Sequence, residues 1–461
     1  MPRRGHGVSS SPQSYSCQLR DAMSEFLPHR GLPLLSCDGR VRWTSRMLAM
    51  TAIFMAWAPG RTLLDRFSQA WQTMVSIYPT RRRPGKSPEG FSKALVQHSA
   101  SILAVLTEEW RRRLGQLLGA CWTVAGWELF GVDGSNFESP RTAANEQAFG
   151  VTGKNNSGPQ QLLTCLFHVG SGVLWGWARG SIQEGSNERD QLRQMLDLLP
   201  RGAMLLADAG FSGYDLLQSL LNRGNHFLIR VGANTTLLTH LGYAYREHQQ
   251  TVYLWPLDKQ GRQRGRTPKG LKNVKPPLVL RLIRLQDAKG RPVCLLTSVL
   301  EKSKLSDRTA ARIYRLRWGV EVMWRSLKQT MGHHKVLSGT PLRAGAELDW
   351  AMAGLWMLQL LSVQRMMQSR QSPHSYSPAR SLRTLQQAMR GRGQNRRSLK
   401  TELTNAARDG YRRHGSKAAR HYPHKRPRRP PGEPLARMAC DQEKQLAQRI
   451  LEQPPPKSLA A

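Results

Sequence analysis

Apolar residues recur at three- and four-residue spacing over residues 62–77 and 91–118, the period of helices that bury one face. A break at Arg81-Arg82-Arg83-Pro84-Gly85 separates the two runs. Together with the apolar run 47–58, they predict an all-helical N-terminal domain over residues 41–120. The pattern then changes. Residues 127–132 form an apolar run that ends at Asp133-Gly134, and residues 161–169 and 173–178 read as strands joined by Gly170-Ser171-Gly172. Residues 188–199 read as a helix, 203–207 as a buried strand ending at Asp208, 213–222 as a short helix and 226–231 as another strand. Strands followed by helix and strand in alternation predict an α/β fold, a mixed sheet with helical cover, whose first part spans 121–232.

Residues 233–300 are strand-like and polar, with basic turns at 259–275, and read as a β-rich insertion. A long helix over 307–331, closed by Gly332, and an apolar helix over 344–366 place the second part of the core at 301–368. His333-His334 lack the spacing of a metal pair and read as a helix end. Residues 1–40, rich in Ser, Pro and Arg, read as a mobile arm. Residues 369–461 read as a basic, disordered tail, in which 411–430 hold eight Lys/Arg and no acid.

Charge narrows the class of partner. The 461 residues carry 69 Lys+Arg against 31 Asp+Glu, a formal net charge of +38. Such an excess favours a polyanion, because each phosphate neutralised by Lys or Arg releases condensed counterions. The most apolar run, 47–58, is shorter than the roughly 20 residues a spanning helix needs, and no apolar stretch follows the N-terminal Arg3 and Arg4 as a secretory signal would require. A soluble nucleic-acid protein is therefore expected over a membrane protein. The six cysteines (Cys17, Cys37, Cys121, Cys165, Cys294 and Cys440) form no C-x-x-C pair, so neither a zinc site nor a disulfide framework is indicated.

The helix predicted over 307–331 carries the chemistry. At 100° per residue, Tyr314, Arg317, Glu321 and Lys328 fall within about a 60° arc, while Leu316, Val320, Met323 and Leu327 form a separate apolar stripe. Alone, this is compatible with a solvated face bearing an Arg317–Glu321 ion pair. The spacing Y-x2-R-x3-E-x6-K, however, resembles the signature of the insertion-sequence DDE transposases of the insertion-sequence-four type. Val132-Asp133-Gly134-Ser135, with Ala144-Asn145-Glu146-Gln147-Ala148-Phe149-Gly150, is similar to that family's first-Asp block. Leu205-Leu206-Ala207-Asp208-Ala209-Gly210-Phe211 is similar to its second, with Ala209 where Arg is common.

The resemblance implies a ribonuclease-H-like catalytic core, interrupted by the β-rich insertion, with Asp133, Asp208 and Glu321 as catalytic metal ligands. Two Mg2+ ions, with Mn2+ able to substitute, would serve in-line phosphodiester cleavage. Hard cations take oxygen ligands, and three acids against two dications leave a site that still attracts phosphate. The implied activity is cleavage of a mobile element's DNA ends and their transfer to target DNA, by a homodimer or higher assembly on DNA. Tyr314, Arg317 and Lys328 would hold DNA phosphates, Arg through its fork of donors and Lys as a point charge. Trp255, in Tyr253-Leu254-Trp255-Pro256, is a candidate for stacking on an extruded base, although a strand tryptophan is more often core. The competing readings are a ribonuclease-H-like nuclease without strand transfer and an inactive DNA-binding regulator.

Overall fold

The computed structural model describes residues 14–28, 30–35, 43–78, 83–152, 157–181, 183–256, 275–287, 290–392, 398–407 and 432–452. Four helices precede the first strand: α1 (Tyr15–Ser24), α2 (Ser45–Trp57), α3 (Leu63–Ile77) and α4 (Pro88–Leu118). Local chemistry sets their starts. Thr44 Oγ1 caps α2 by accepting from Met47 N, and Thr62 with Asp65 forms a reciprocal capping box on α3. Pro88 opens α4 behind the Ser87 cap, where its missing N–H costs nothing.

The sheet then begins with β1 (Leu129–Glu138), followed by α5 (Ala143–Phe149), β2 (Val151–Thr152), β3 (Ser157–His168) and β4 (Val173–Ser181). Next come α6 (Glu188–Met195), β5 (Met204–Ala207), α7 (Tyr214–Asn222) and β6 (His226–Val231). β3 is antiparallel to both β1 and β4, whereas β1, β5 and β6 run parallel. The resulting order β4-β3-β1-β5-β6, with one reversed strand, is the ribonuclease-H-like core.

The segment read as an insertion contributes β7 (Thr236–Thr239), β8 (Thr251–Leu254), β9 (Leu278–Gln286) and β10 (Pro292–Thr297). These strands do not form a separate layer. β10 pairs antiparallel with β6, and β9, β8 and β7 follow in order, extending the core sheet. The expected basic turn lies largely at 257–274, outside the described residues.

The expected long helix is interrupted. It comprises α8 (Asp307–Leu316), a tightened turn at Arg317, α9 (Trp318–Arg325) and a π-helical turn, Ser326–Thr330. Its apolar stripe is nevertheless the buried one, with Val320, Met323 and Leu327 inside. Gly319 explains how α9 comes so near the sheet, since a Cβ there would lie 2.8 Å from the Phe167 ring on β3.

α10 (Pro341–Gln368) runs through the middle of the molecule and packs on α2, α4 and β4. From Trp350 to Met366 every residue is buried, so the helix is covered on all sides there. One continuous core therefore joins the N-terminal helices to the sheet. At the α2–α10 crossing, a Cβ on Gly354 would lie 2.5 Å from Ala56 Cβ, and Trp57 Nε1 donates to Gly354 O. Gly354→Ala should overpack this crossing at a cost of about 1–3 kcal/mol. Urea denaturation checks it, and an unchanged midpoint would show that the helices separate freely.

Two expectations about the chain ends are corrected. Within the expected mobile arm, α1 and the residues after it bury Leu19, Met23, Phe26 and Leu27; residues 1–13 lie outside the described residues. The tail expected to be disordered contains α11 (Pro378–Met389), α12 (Leu399–Ala407), β11 (Leu435–Met438) and α13 (Asp441–Glu452). Leu382, Leu385 and Met389 share one face of α11 and are buried, so apolar spacing prevails there over a basic composition. β11 pairs parallel with β7 at the end of the sheet. The basic stretch 411–430 lies outside the described residues. Among the described residues no helix is long and apolar enough to cross a membrane, and Cys17, Cys121, Cys165, Cys294 and Cys440 are free.

Candidate active site

The parallel pairing of β1 with β5 aligns Leu129 with Met204, Phe130 with Leu205 and Gly131 with Leu206. Continued by two residues, that register sets Asp133, midway along β1, beside Asp208, the residue just past the end of β5, where strands lie about 4.8 Å apart. Loop groups beyond the carboxyl ends of parallel strands are where α/β sheets bind ligands. Asp208 caps the following turn, its Oδ1 accepting from Gly210 N at 2.8 Å. That bond fixes the carboxylate against the strand end.

The third acid arrives on α9, which packs on β1. Glu321 Oε1 accepts from Arg317 Nη2 at 3.3 Å, and the Arg317 side chain is only 14% exposed. Burial pulls the guanidinium pKa down, but the neighbouring Tyr314, Asp208, Asp133 and Glu321 outweigh it and leave it raised. Asp133 shows the opposite balance. Burial pushes its carboxyl up to about 7, with Arg317 opposing and Asp208, Glu188 and Glu321 reinforcing the shift. Four carboxyl groups and one guanidinium thus share this end of the sheet.

Tyr314 lies flat under the cation, with the guanidinium carbon 5.8 Å from its ring centroid, and its hydroxyl donates to Ala207 O at 3.2 Å. Burial raises its phenol pKa. It anchors α8 to the end of β5, one residue before Asp208. Lys328 stands further along β1. Its Nζ donates to Asn136 O at 2.8 Å and lies 4.4 Å from the Phe137 ring centroid. Burial lowers its pKa, with Asp133 opposing.

Asn145, in the first-Asp block, is fully buried and ties the loop together by donating to Pro140 O and Ser338 O, both at 3.1 Å. His333 is buried between Ala56 O and the Arg66 guanidinium and is pushed down to about 4, chiefly by burial. It is a structural joint between the N-terminal helices and the end of the site helix.

Trp255 requires a correction. It is 4% exposed within a second apolar cluster with Leu238, Tyr253 and Ala447, and its Nε1 donates to Lys275 O. It offers no free ring face to a base. It follows directly on β8, whose last three residues are buried as well. By contrast, Trp318 is 57% exposed on the turn just after Arg317.

Glu188, at the start of α6, is a group that motif reading missed. Its carboxylate lies against Gly134, where a Cβ would be 2.6 Å from Glu188 Cδ. No spacing rule marks it, since only the fold brings α6 over β1.

A family model described as Transposase DDE domain matches residues 129–357. Residues 129–357 are a transposase DDE domain. All three acids of the site fall within it. The DDE domain is similar to the transposase InsG for insertion sequence element IS4 of Escherichia coli (strain K12), 28% identical over 213 residues. That alignment covers 45% of this chain and 45% of the relative, so less than half of either protein is compared. A solved structure, the piggyBac transposase synaptic complex with hairpin DNA, overlaps 86% of this chain and 83% of its own at 12% identity and a TM-score of 0.40.

Proteins with this domain generally use divalent metal ions. Among the described residues, no three His, Cys, Asp or Glu side chains surround one point as a finished metal cage. The donor set still fits a hard dication. The candidates are carboxylates, burial above all pushes the Asp133 carboxyl up to about 7, and Mg2+ commonly takes one or two carboxylates with substrate phosphate completing its shell.

Proposed function

We propose that this chain is an active DDE transposase that cuts the DNA ends of an insertion sequence and joins them to target DNA. The observation that carries this reading is the in-register pair Asp133 and Asp208 facing Glu321 and Arg317 within a transposase DDE domain. Asp133, Asp208 and Glu321 would hold the metal, read here as two Mg2+ ions with Mn2+ able to substitute. Bound there, the ions supply Lewis acidity for activating the attacking hydroxyl and stabilising the leaving oxygen.

The chain's own residues do the positioning. Tyr314 fixes Arg317 over the strand ends, and Arg317 presents guanidinium donors to a phosphate oxygen. Lys328 adds positive charge beside Asn136, further along the same strand. DNA is the partner that the net charge of +38 favours. The substrate DNA comprises element ends and target, and paired ends call for a dimer or higher assembly of this chain.

The test uses the full chain, Mg2+ and duplexes from the DNA flanking the gene, where inverted repeats would mark the ends. The expected result is cleavage at the ends followed by joined strand-transfer product. Cleavage without joining would support a nuclease instead, and binding without cleavage would support a regulator. Arg317→Ala should weaken binding to end DNA and reduce the salt dependence of log K by about one phosphate contact. An unchanged slope with a lowered melting temperature would make Arg317 only a charge clamp for the acids.

A further inference from the structure

The exposed side of α8 and α9 carries arginines and no acid. On α8, Arg308, Arg312 and Arg315 fall within about a 60° arc, roughly 100° or more round the helix from Tyr314. All three are exposed, and so are Trp318, Val322 and Arg325 where the stripe continues on α9. At about 1.5 Å per residue it runs for roughly 25 Å from Arg308 to Arg325, the length of about seven base pairs of duplex. The stripe therefore lies beside the face that carries Tyr314, Arg317, Glu321 and Lys328, not on it.

These arginines lack the partners that exposed arginines have on other helices. On α4, Arg113 pairs with Glu109, and on α6, Arg193 pairs with Asp190. The two acids of α8 and α9 are engaged away from the stripe. Asp307 accepts from Gln250 Nε2 at 3.0 Å and lies 3.8 Å from the buried Arg281, while Glu321 pairs with Arg317. Among the described residues, none of Arg308, Arg312, Arg315 and Arg325 meets a carboxylate. In a chain with a net charge of +38 one such arginine is ordinary and would carry nothing. A line of them is different. Arg308 and Arg312 are four residues apart and Arg312 and Arg315 three, spacings at which like charges repel, and a polyanion laid along the line relieves that repulsion.

Strand transfer brings two duplexes to one metal site. The 3′ hydroxyl of a cut end attacks a target phosphodiester and gives up its proton. A new oxygen–phosphorus bond forms, the target's bond to its own 3′ oxygen breaks, and that oxygen departs with a proton. With the end held along the face of Tyr314, Arg317 and Lys328, the target must pass the site on another track. We propose that Arg308, Arg312, Arg315 and Arg325 form that track and grip the backbone of target DNA. Phosphate contacts carry no sequence information, which suits a duplex of arbitrary sequence. The inference rests on the transposase reading above, and its test separates the two.

The test uses the full chain, wild type and Arg308→Gln/Arg312→Gln/Arg315→Gln, with an uncut end duplex for cleavage and a precut end with a closed circular plasmid for joining. The triple variant should bind and cleave end DNA like wild type. Affinity of the end-bound protein for plasmid should fall by about 10–100-fold near 0.1 M salt, and joined product should fall with it. The slope of log K for plasmid against log salt should become shallower by about three phosphate contacts. Each single Arg→Gln variant should flatten it by about one, which decides the matter should the triple variant melt low. Loss of end cleavage in step with joining would put the stripe on the end's own track. Unchanged plasmid affinity and slope would make it a solvated face. Either result overturns the inference alone. A wild type that joins no ends overturns the transposase reading instead.

Discussion

Asp133→Asn, Asp208→Asn and Glu321→Gln should each lower end cleavage by roughly 1,000-fold or more, while the protein stays folded and still binds end DNA. The size follows from what the reaction needs. An in-line phosphoryl displacement depends on electrostatic stabilisation at both the attacking and the leaving oxygen, and losing one charged ligand compromises both. Folding should survive because the amides keep the shapes of the acids and remove charge from a site that has too much of it. Burial and three neighbouring acids already hold the Asp133 carboxyl near 7. Binding should survive because removing a negative charge from a phosphate site cannot repel DNA. The measurement is single-turnover cleavage of a labelled end duplex in Mg2+, with binding followed by anisotropy. Wild-type cleavage by any of the three would remove that residue from the site, and by all three would remove the mechanism.

The parts that could be read from the sequence were those governed by local spacing. Arg317 and Glu321 are four residues apart on a helix, and the apolar stripe through Val320, Met323 and Leu327 is legible from the period alone. Asp133 and Asp208 needed the resemblance, because nothing local links them. Their adjacency comes from strand register, which only the folded sheet defines. Glu188 lacked even a motif, since its approach to Gly134 depends on how α6 crosses β1. The break at Arg317 and the π turn after Ser326 reflect tertiary fit, with Gly319 pressed on Phe167, and leave no signature in an otherwise continuous helical pattern. Composition misled at both ends. Ser, Pro and Arg around α1 and α11 concealed short apolar sets, such as Leu382, Leu385 and Met389, that find a place against the core. β9 and β10 were legible as strands, but whether they pair with β6 or with one another only is a long-range matter.

Divalent-metal affinity should rise about tenfold per pH unit up to about pH 7 and then level off, because Asp133 must lose a proton before it can ligate. The same group makes a separable claim on stability. Its folded pKa lies above the unfolded value, so its contribution is fully present below pH 4 and is lost as pH rises through about 7. Buried His168 and His333, both held at about 4, act in the other sense, since they lose stability as the pH falls below the ordinary histidine range. The wild-type profile alone is therefore a mixture, and the informative quantity is the difference between wild type and Asp133→Asn. Without metal, the variant should melt higher than wild type at pH 8, by roughly 2 °C or more, and the gap should close towards pH 5. Added Mg2+ should stabilise wild type more at pH 8 than at pH 6 and should stabilise the variant much less at either. Calorimetry across that range decides it. A gap that stays constant with pH would mean that Asp133 ionises like an ordinary surface carboxylate, and so lies outside the crowded acid site described here.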